Sequence, residues 1–293
     1  MRKSFVFLLS LLLVSLIACD KTDEPYIDSG NTVELIGVID YGSDYFENYE
    51  STVLLEDFTG YRCTNCLPAI ETAENLQEIW GDRLTVVAYH VTSFFAAPLP
   101  TPEPPNGAFA EDFRSDDGTE LFGTTGIQGL PNGMVNRFDF GTGSLPQGAG
   151  TWEENVSEEM NNSPVAFIEL PADSVQLDEL NLEFTVTFRP LEDIEGAVNL
   201  VLGIYENGLI EGQKNGGETI YPFTHNHVFR KNINGVFGQE VLPSELDFNE
   251  NEAIFYKFTT EISDEWNQDN CYVFAFLQDI ETEKILASAK VHF

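Results

Sequence analysis

One segment constrains this chain more than any other. Val53-Leu54-Leu55-Glu56-Asp57-Phe58 reads as a strand, Cys63-Thr64-Asn65-Cys66 follows, and a helical stripe begins directly after it. In that stripe Leu67, Ile70, Ala73, Leu76, Ile79 and Trp80 recur at spacings that share one face of a helix. Gly81 stops the helix. Leu84 to Val91 is then nearly all apolar or β-branched, as expected of a strand buried on both faces of a sheet. Strand, helix and strand in this order predict a parallel pair joined by a right-handed crossover. The two cysteines then fall in the turn between a strand end and a helix start.

The next stretch breaks the pattern. Pro98, Pro100, Pro102, Pro104 and Pro105 lie close together between His90 and Thr119, so an extended, non-helical excursion is expected. It reads as a stiff surface loop, with peptide recognition as the alternative. Leu130-Pro131-Asn132-Gly133 leads into an expected strand from Met134 to Phe140. A helix is expected from Trp152 to Met160, with Thr151 as its N-cap and Glu154 as capping-box partner.

These residues carry a resemblance. A C-x-x-C between a strand and a helix, followed much later by an X-Pro before a strand, resembles the thioredoxin fold. The resemblance covers residues 32–162. It implies a cis Leu130–Pro131 bond lying against the cysteine pair, with backbone there that could pair with an extended substrate strand. It also implies that Asp57, six residues before Cys63 and followed by Phe58, is the buried acid of such proteins. Two departures stand out. Tyr61-Arg62 occupies the place of a tryptophan, and Thr64-Asn65 replaces Gly-Pro, so redox potential and substrate preference do not transfer.

After Ser163-Pro164 the period changes to two. Leu182 to Phe188 alternates strictly between apolar and polar residues, as a half-buried strand does. Val165–Leu170, Ala197–Tyr205, His225–Arg230, Ala253–Phe258, Tyr272–Leu277 and Ile285–Val291 are further expected strands, with turns such as Asn215-Gly216-Gly217 between them. Short strands without a helical stripe predict an antiparallel sandwich over residues 163–293. The expected fold is thus an α/β thioredoxin-like domain followed by an all-β immunoglobulin-like sandwich domain.

The N-terminus does not belong to either domain. Arg2 and Lys3 precede Phe5–Ala18, an apolar run too short to span a bilayer core of about 30 Å. Leu16-Ile17-Ala18-Cys19 resembles a bacterial lipobox, which implies removal of residues 1–18 and lipid on Cys19; ordinary secretion is the alternative. Residues 19–31 are acidic and polar and read as a tether. The chain holds 14 Lys+Arg against 49 Asp+Glu, a net charge of −35. Such a field repels phosphate backbones, so nucleic acid is excluded as a partner.

Lipobox, thioredoxin-like part and β domain in this order resemble the outer-membrane-protein-28-related family of lipoproteins. The segments FTGYRCTNC (58–66), GLPNGMVNR (129–137) and YPFTHNHVFR (221–230) carry that resemblance. It implies a lipid-anchored place at the outer membrane, on its periplasmic or cell-surface side.

Cys63 and Cys66 are close enough for a disulfide in an oxidising envelope. Cys63 is expected just ahead of the helix, where free N–H groups and the dipole stabilise a thiolate, and Arg62 adds positive charge. Cys66 is then the resolving thiol and the less exposed of the two. Asp57 could take the proton of Cys66 during exchange. Glu56 and Asp57 should point to opposite faces of their strand, with Asp57 inward. The alternatives are a static disulfide and an acid facing solvent. Leu130 and Pro131 are the candidate substrate-binding residues. Cys271 reads as a buried inert thiol, and Arg137 and Arg230 as ion-pair partners. Cys63 and Cys66, with His90 as the one extra candidate, fall short of the four ligands of a zinc site. His225 and His227, two apart on a strand, would share one face and could bind a metal, but no third ligand is evident and structural hydrogen bonding is the expected role. No metal and no cofactor are expected.

Two function classes follow. One is an envelope thiol–disulfide oxidoreductase that acts on protein thiols. The other is a non-catalytic surface lipoprotein whose β domain binds a partner while the cysteine pair is structural.

Overall fold

The computed structural model describes residues 31–42, 44–101, 107–194, 196–241 and 251–293. The export segment, Cys19, the tether through residue 30, and Pro102, Pro104 and Pro105 lie outside the described residues. β1 (Thr32–Asp40) precedes the strand–helix–strand unit, which consists of β2 (Val53–Thr59), α1 (Leu67–Trp80) and β3 (Leu84–His90). β2 and β3 run parallel, from Val53 opposite Leu84 to Thr59 opposite His90. Gly81 ends α1 with φ of 56°, a conformation in which a side chain is strained.

α2 (Ser93–Ala96), α3 (Asp116–Thr124), β4 (Asn132–Val135) and α4 (Trp152–Asn161) follow. Sequence periodicity missed α3. Its start is held by the Ser115 hydroxyl, which accepts from the Gly118 amide, and by Asp116 and Asp117 in the first turn. β4 pairs antiparallel with β2, Phe58 opposite Asn132. It stops at Val135, not at Phe140 as expected, because Asn136 and Arg137 both take φ near 47° and turn the chain away. Asn136 Oδ1 accepts from the Leu54 amide at 2.9 Å and closes that turn. The Thr151 capping box does not form. Its hydroxyl lies 3.1 Å from the Gly148 carbonyl and donates to it instead.

The remaining strands are β5 (Ala166–Glu169), β6 (Gln176–Asp178), β7 (Asn181–Pro190), β8 (Val198–Glu206), β9 (Leu209–Asn215), β10 (Glu218–His225), β11 (Val228–Asn232), β12 (Gln239–Val241), β13 (Glu252–Glu261), β14 (Cys271–Asp279) and β15 (Ile285–His292). One sheet has the order β1-β13-β7-β5, with β6 also on β7. A second has the order β15-β14-β8-β11-β3-β2-β4, with β12 on β8. β9 and β10 form a separate hairpin around Gly216-Gly217. The fold is thus β-rich, with several sheets and few helices among the described residues.

Two pairings cross the change of period at residue 163. β1 lies along β13, from Thr32 opposite Thr259 to Asp40 opposite Glu252, although residues 32–40 were expected within the first unit. β11 meets β3 in parallel at Val228 and Ala88, where the Ala88 amide donates to the His227 carbonyl at 2.7 Å. The free edge of β3 is thereby satisfied by the second half of the chain.

Packing explains why β2 and β3 are buried throughout. On one side Leu55 and Val86 meet Ala73 and Leu76 of α1 and Trp152 and Val156 of α4. On the other, Leu54, Phe58, Val87 and Tyr89 meet Leu121 of α3 together with Tyr205, Phe229 and Phe274 from the second half. A third cluster joins the facing sides of the two sheets, for example Phe184 and Phe258 with Leu202 and Val273.

Candidate functional site

The chain leaves β2 at Thr59 and turns through Gly60. A Cβ at Gly60 would come 2.7 Å from the Phe95 carbonyl oxygen, so only glycine fits this approach. The Cys63 amide donates to the Gly60 carbonyl at 2.9 Å. Cys66 is the N-cap residue of α1, and the amides of Ala69 and Ile70 donate to its carbonyl. Cys63 and Cys66 are joined by a disulfide with a Cα–Cα distance of 5.4 Å.

The expected exposure of Cys63 is corrected by the structure. Cys63 is 1% exposed and Cys66 0%. The cover comes from the second half of the chain. The Lys214 amide donates to the Tyr61 carbonyl at 2.8 Å, the Gly216 amide to the Thr64 carbonyl at 2.9 Å, and Gln213 Nε2 to the Cys63 carbonyl at 3.3 Å. Tyr61 is buried, stacks on Phe109 and donates to the Glu111 carbonyl. The Glu211 carboxylate accepts from the amides of Phe109, Ala110, Glu111 and Gly212, which pins the end of the excursion to β9. Only Thr64 and Asn65 of the four motif residues face solvent. Neither Gln213 nor Glu211 stands out in the sequence, because both lie in a polar stretch without period.

Asp57 points inward and is 1% exposed. Burial pushes its carboxyl up to about 7. Glu56 was expected to face outward, yet it is 0% exposed. Its strand is covered on both faces, and Arg137 meets the carboxylate with two hydrogen bonds of 2.8 Å from Nε and Nη2. Arg230 pairs with Glu206 at 2.8 Å.

The Leu130–Pro131 peptide is cis. Since Asn132 lies opposite Phe58, Pro131 is next beyond that pair, at the end of β2 that leads into the cysteine loop. Leu130 packs on the cluster around Phe58.

His225 and His227 do not share a strand face. His225 ends β10 and its Nε2 donates to the Gly212 carbonyl at 3.2 Å. His227 takes φ of 57° and sits 3.8 Å from the Glu74 carboxylate through Nε2. Burial pushes the His225 imidazole down to about 4, and that of His90 well below its ordinary value, aided there by His225. Among the described residues no group of three His, Cys, Asp or Glu side chains is arranged to hold a metal ion. Burial pushes the Cys271 thiol up to about 12, as for an inert thiol. None of the described helices is long and apolar enough to cross a membrane.

A β-rich chain with an internal disulfide at a strand-to-helix turn suits an oxidising envelope compartment. The profile of the family described as Outer membrane protein Omp28 matches residues 120–292, and the chain belongs to that family and to the outer membrane. No curated protein matches it. HBP35 of Porphyromonas gingivalis shares the fold at 17% identity and a TM-score of 0.61, over 84% of this chain and 76% of that one. A protein from Agrobacterium tumefaciens is 12% identical with a TM-score of 0.47, over 83% of this chain and 95% of that one. A domain of the outer membrane lipoprotein Omp28 from Porphyromonas gingivalis is 18% identical with a TM-score of 0.31, over 44% and 88%.

Proposed function

We propose that this outer-membrane protein carries out thiol–disulfide exchange through Cys63 and Cys66 and is tethered by lipid on Cys19. In this reading residues 32–162 are a thioredoxin-like domain and residues 163–293 an immunoglobulin-like sandwich domain, coupled through their common sheet. Cys63 is attacked first, Cys66 is the resolving sulfur, and Asp57 supplies or takes its proton. Leu130 and Pro131 offer backbone to an extended protein substrate.

The observation that carries the reading is the cysteine pair itself. It is a disulfide closed at the start of α1, and six residues before Cys63 stands a buried acid whose carboxyl is pushed up to about 7 by burial. A group poised there can both give and accept a proton. The deciding measurement is the reduction potential of the pair against glutathione. A value between about −120 and −270 mV is expected for exchange, whereas one below about −300 mV marks a static bridge.

A second reading has one observation in its favour. Both cysteines are buried, and Gln213 of β9 donates to the Cys63 carbonyl, as suits a structural disulfide. The protein would then be a binding lipoprotein that presents its β domain to a surface partner.

A further inference from the structure

A cavity of about 20 Å³ lies beneath the first two turns of α1. It has room for one water, for which roughly 10–15 Å³ suffices. Its polar walls are Asp57 and Thr59 of β2, Glu74 of α1, His90 of β3, and His225 and His227. Asp57 Oδ1, Thr59 Oγ1, both ring nitrogens of His90 and His227 Nδ1 are buried there without a hydrogen-bond partner in the protein. Each such atom costs about 1–3 kcal/mol when left unmet. So many around one small space mark a site for a polar ligand, and the volume restricts that ligand to water.

The cavity also has a way out. An outer cleft of about 400 Å³ between α1 and β10 shares Ile70, Glu74 and Asn226 with it. Asn226 Nδ2 donates to Glu74 Oε1 at 3.0 Å, and His227 Nε2 is 3.8 Å from Glu74 Oε2. The half-exposed Glu74 therefore stands at the mouth. The cysteine face is closed by β9 instead.

We propose that Asp57 exchanges protons with bulk solvent through this cavity, by a water held among Asp57, Thr59, His90 and His227 and a mouth formed by Glu74. The route is independent of redox activity, but its use in catalysis rests on the exchange reading above. In that use a substrate thiolate attacks Cys63 Sγ. The new S–S bond forms, the Cys63–Cys66 bond breaks, and its electron pair leaves on Cys66 as thiolate. The Asp57 carboxyl protonates that thiolate and becomes carboxylate. The cavity water returns a proton to Asp57 and recovers one from the Glu74 mouth. A second substrate thiolate then displaces Cys63, so two thiolates are oxidised to one disulfide while the pair gains two electrons. Asp57 is faced by Glu74 from α1, His90 from β3, and His225 and His227 from β10 and the turn after it. Arg230 acts on His90, and Glu211 on His225, from further away.

The test is a pair of measurements on the mature full-length protein. Carbon NMR of the Asp57 carboxyl gives its titration midpoint, and Thr59→Val, which deletes a water ligand, should raise it by about one unit. Infrared detection after a pH jump gives the rate of Asp57 ionisation. Glu74→Gln should slow it by about tenfold or more, while Gln213→Ala, on the cysteine face, should leave it unchanged. An unmoved midpoint in Thr59→Val overturns the bound water. An unaltered rate in Glu74→Gln, or a faster one in Gln213→Ala, overturns the route. Reduction by dithiothreitol is scored separately. A protein that dithiothreitol does not reduce removes the exchange reading and leaves both proton measurements valid.

Discussion

The backbone amide of Lys214 donates to the carbonyl of Tyr61 at 2.8 Å. This bond ties a strand of the second half to the loop two residues ahead of Cys63. With the Gln213 and Gly216 bonds beside it, residues 213–216 run along residues 61–64 and seal the disulfide from solvent. A thiolate must approach the sulfur it attacks, so exchange requires the β9–β10 hairpin to lift. The hairpin pairs with neither large sheet, so lifting it leaves both intact.

Gln213→Ala should therefore speed reduction of the pair. It removes one hydrogen bond of the seal, worth about 1 kcal/mol, which corresponds to roughly a fivefold gain in the open fraction. Stopped-flow reduction by dithiothreitol reads this directly. An unchanged rate would show that the hairpin does not limit access.

Arg137→Met should destabilise the fold strongly. It leaves the Glu56 carboxylate buried without its partner, a loss of about 3–5 kcal/mol. Adding Glu56→Gln should recover much of that loss. Urea unfolding of the single and double variants measures both steps, and equal midpoints for them would deny the coupling.

Asp57 should make stability fall as pH rises. Its carboxyl ionises near 3.8 when unfolded and about 7 when folded, so between these values only the unfolded state has lost the proton. Stability relative to Asp57→Asn then declines through that window by about 4 kcal/mol at most. His225 acts in the opposite sense. Its imidazole is held down to about 4, so its contribution is lost as pH falls below 6.5. Unfolding of wild type and Asp57→Asn across pH 4 to 8 isolates the Asp57 part; parallel curves would rule it out.

Phe274→Ala should weaken both halves of the chain at once. Phe274 is fully buried among Tyr205, Phe229 and Phe276, in the cluster that also holds Phe58 and Tyr89. The cost is about 3–5 kcal/mol. Tryptophan fluorescence and far-UV circular dichroism should shift together to a lower midpoint. Separate transitions would mean that residues 32–162 and 163–293 unfold as independent domains.

Cys19→Ala should abolish acylation and release the protein from the membrane fraction. The Leu16-Ile17-Ala18-Cys19 junction motivates this. Acylation of the variant, tested by labelling with a fatty-acid analogue, would place the anchor elsewhere.

Much of the local structure was legible in the sequence. The apolar stripe from Leu67 to Trp80 and the run from Leu84 to Val91 set α1 and β3, since helix and strand periods depend on neighbouring residues alone. The strict alternation from Leu182 to Phe188 marked β7 for the same reason. The placement of the cysteine pair and the inward direction of Asp57 also followed from spacing. Tertiary structure decided the rest. β1 takes its strand character from β13, far away in the chain, and β9 and β10 form an irregular hairpin that pairs only with itself. Glu56 is buried because α3 and the second half cover a face that the strand alone would leave open. Cys63 is hidden for the same kind of reason: its cover, residues 213–216, lies about 150 positions further on. Periodicity reports which side of an element is apolar; what lies against that side is settled only when distant segments meet.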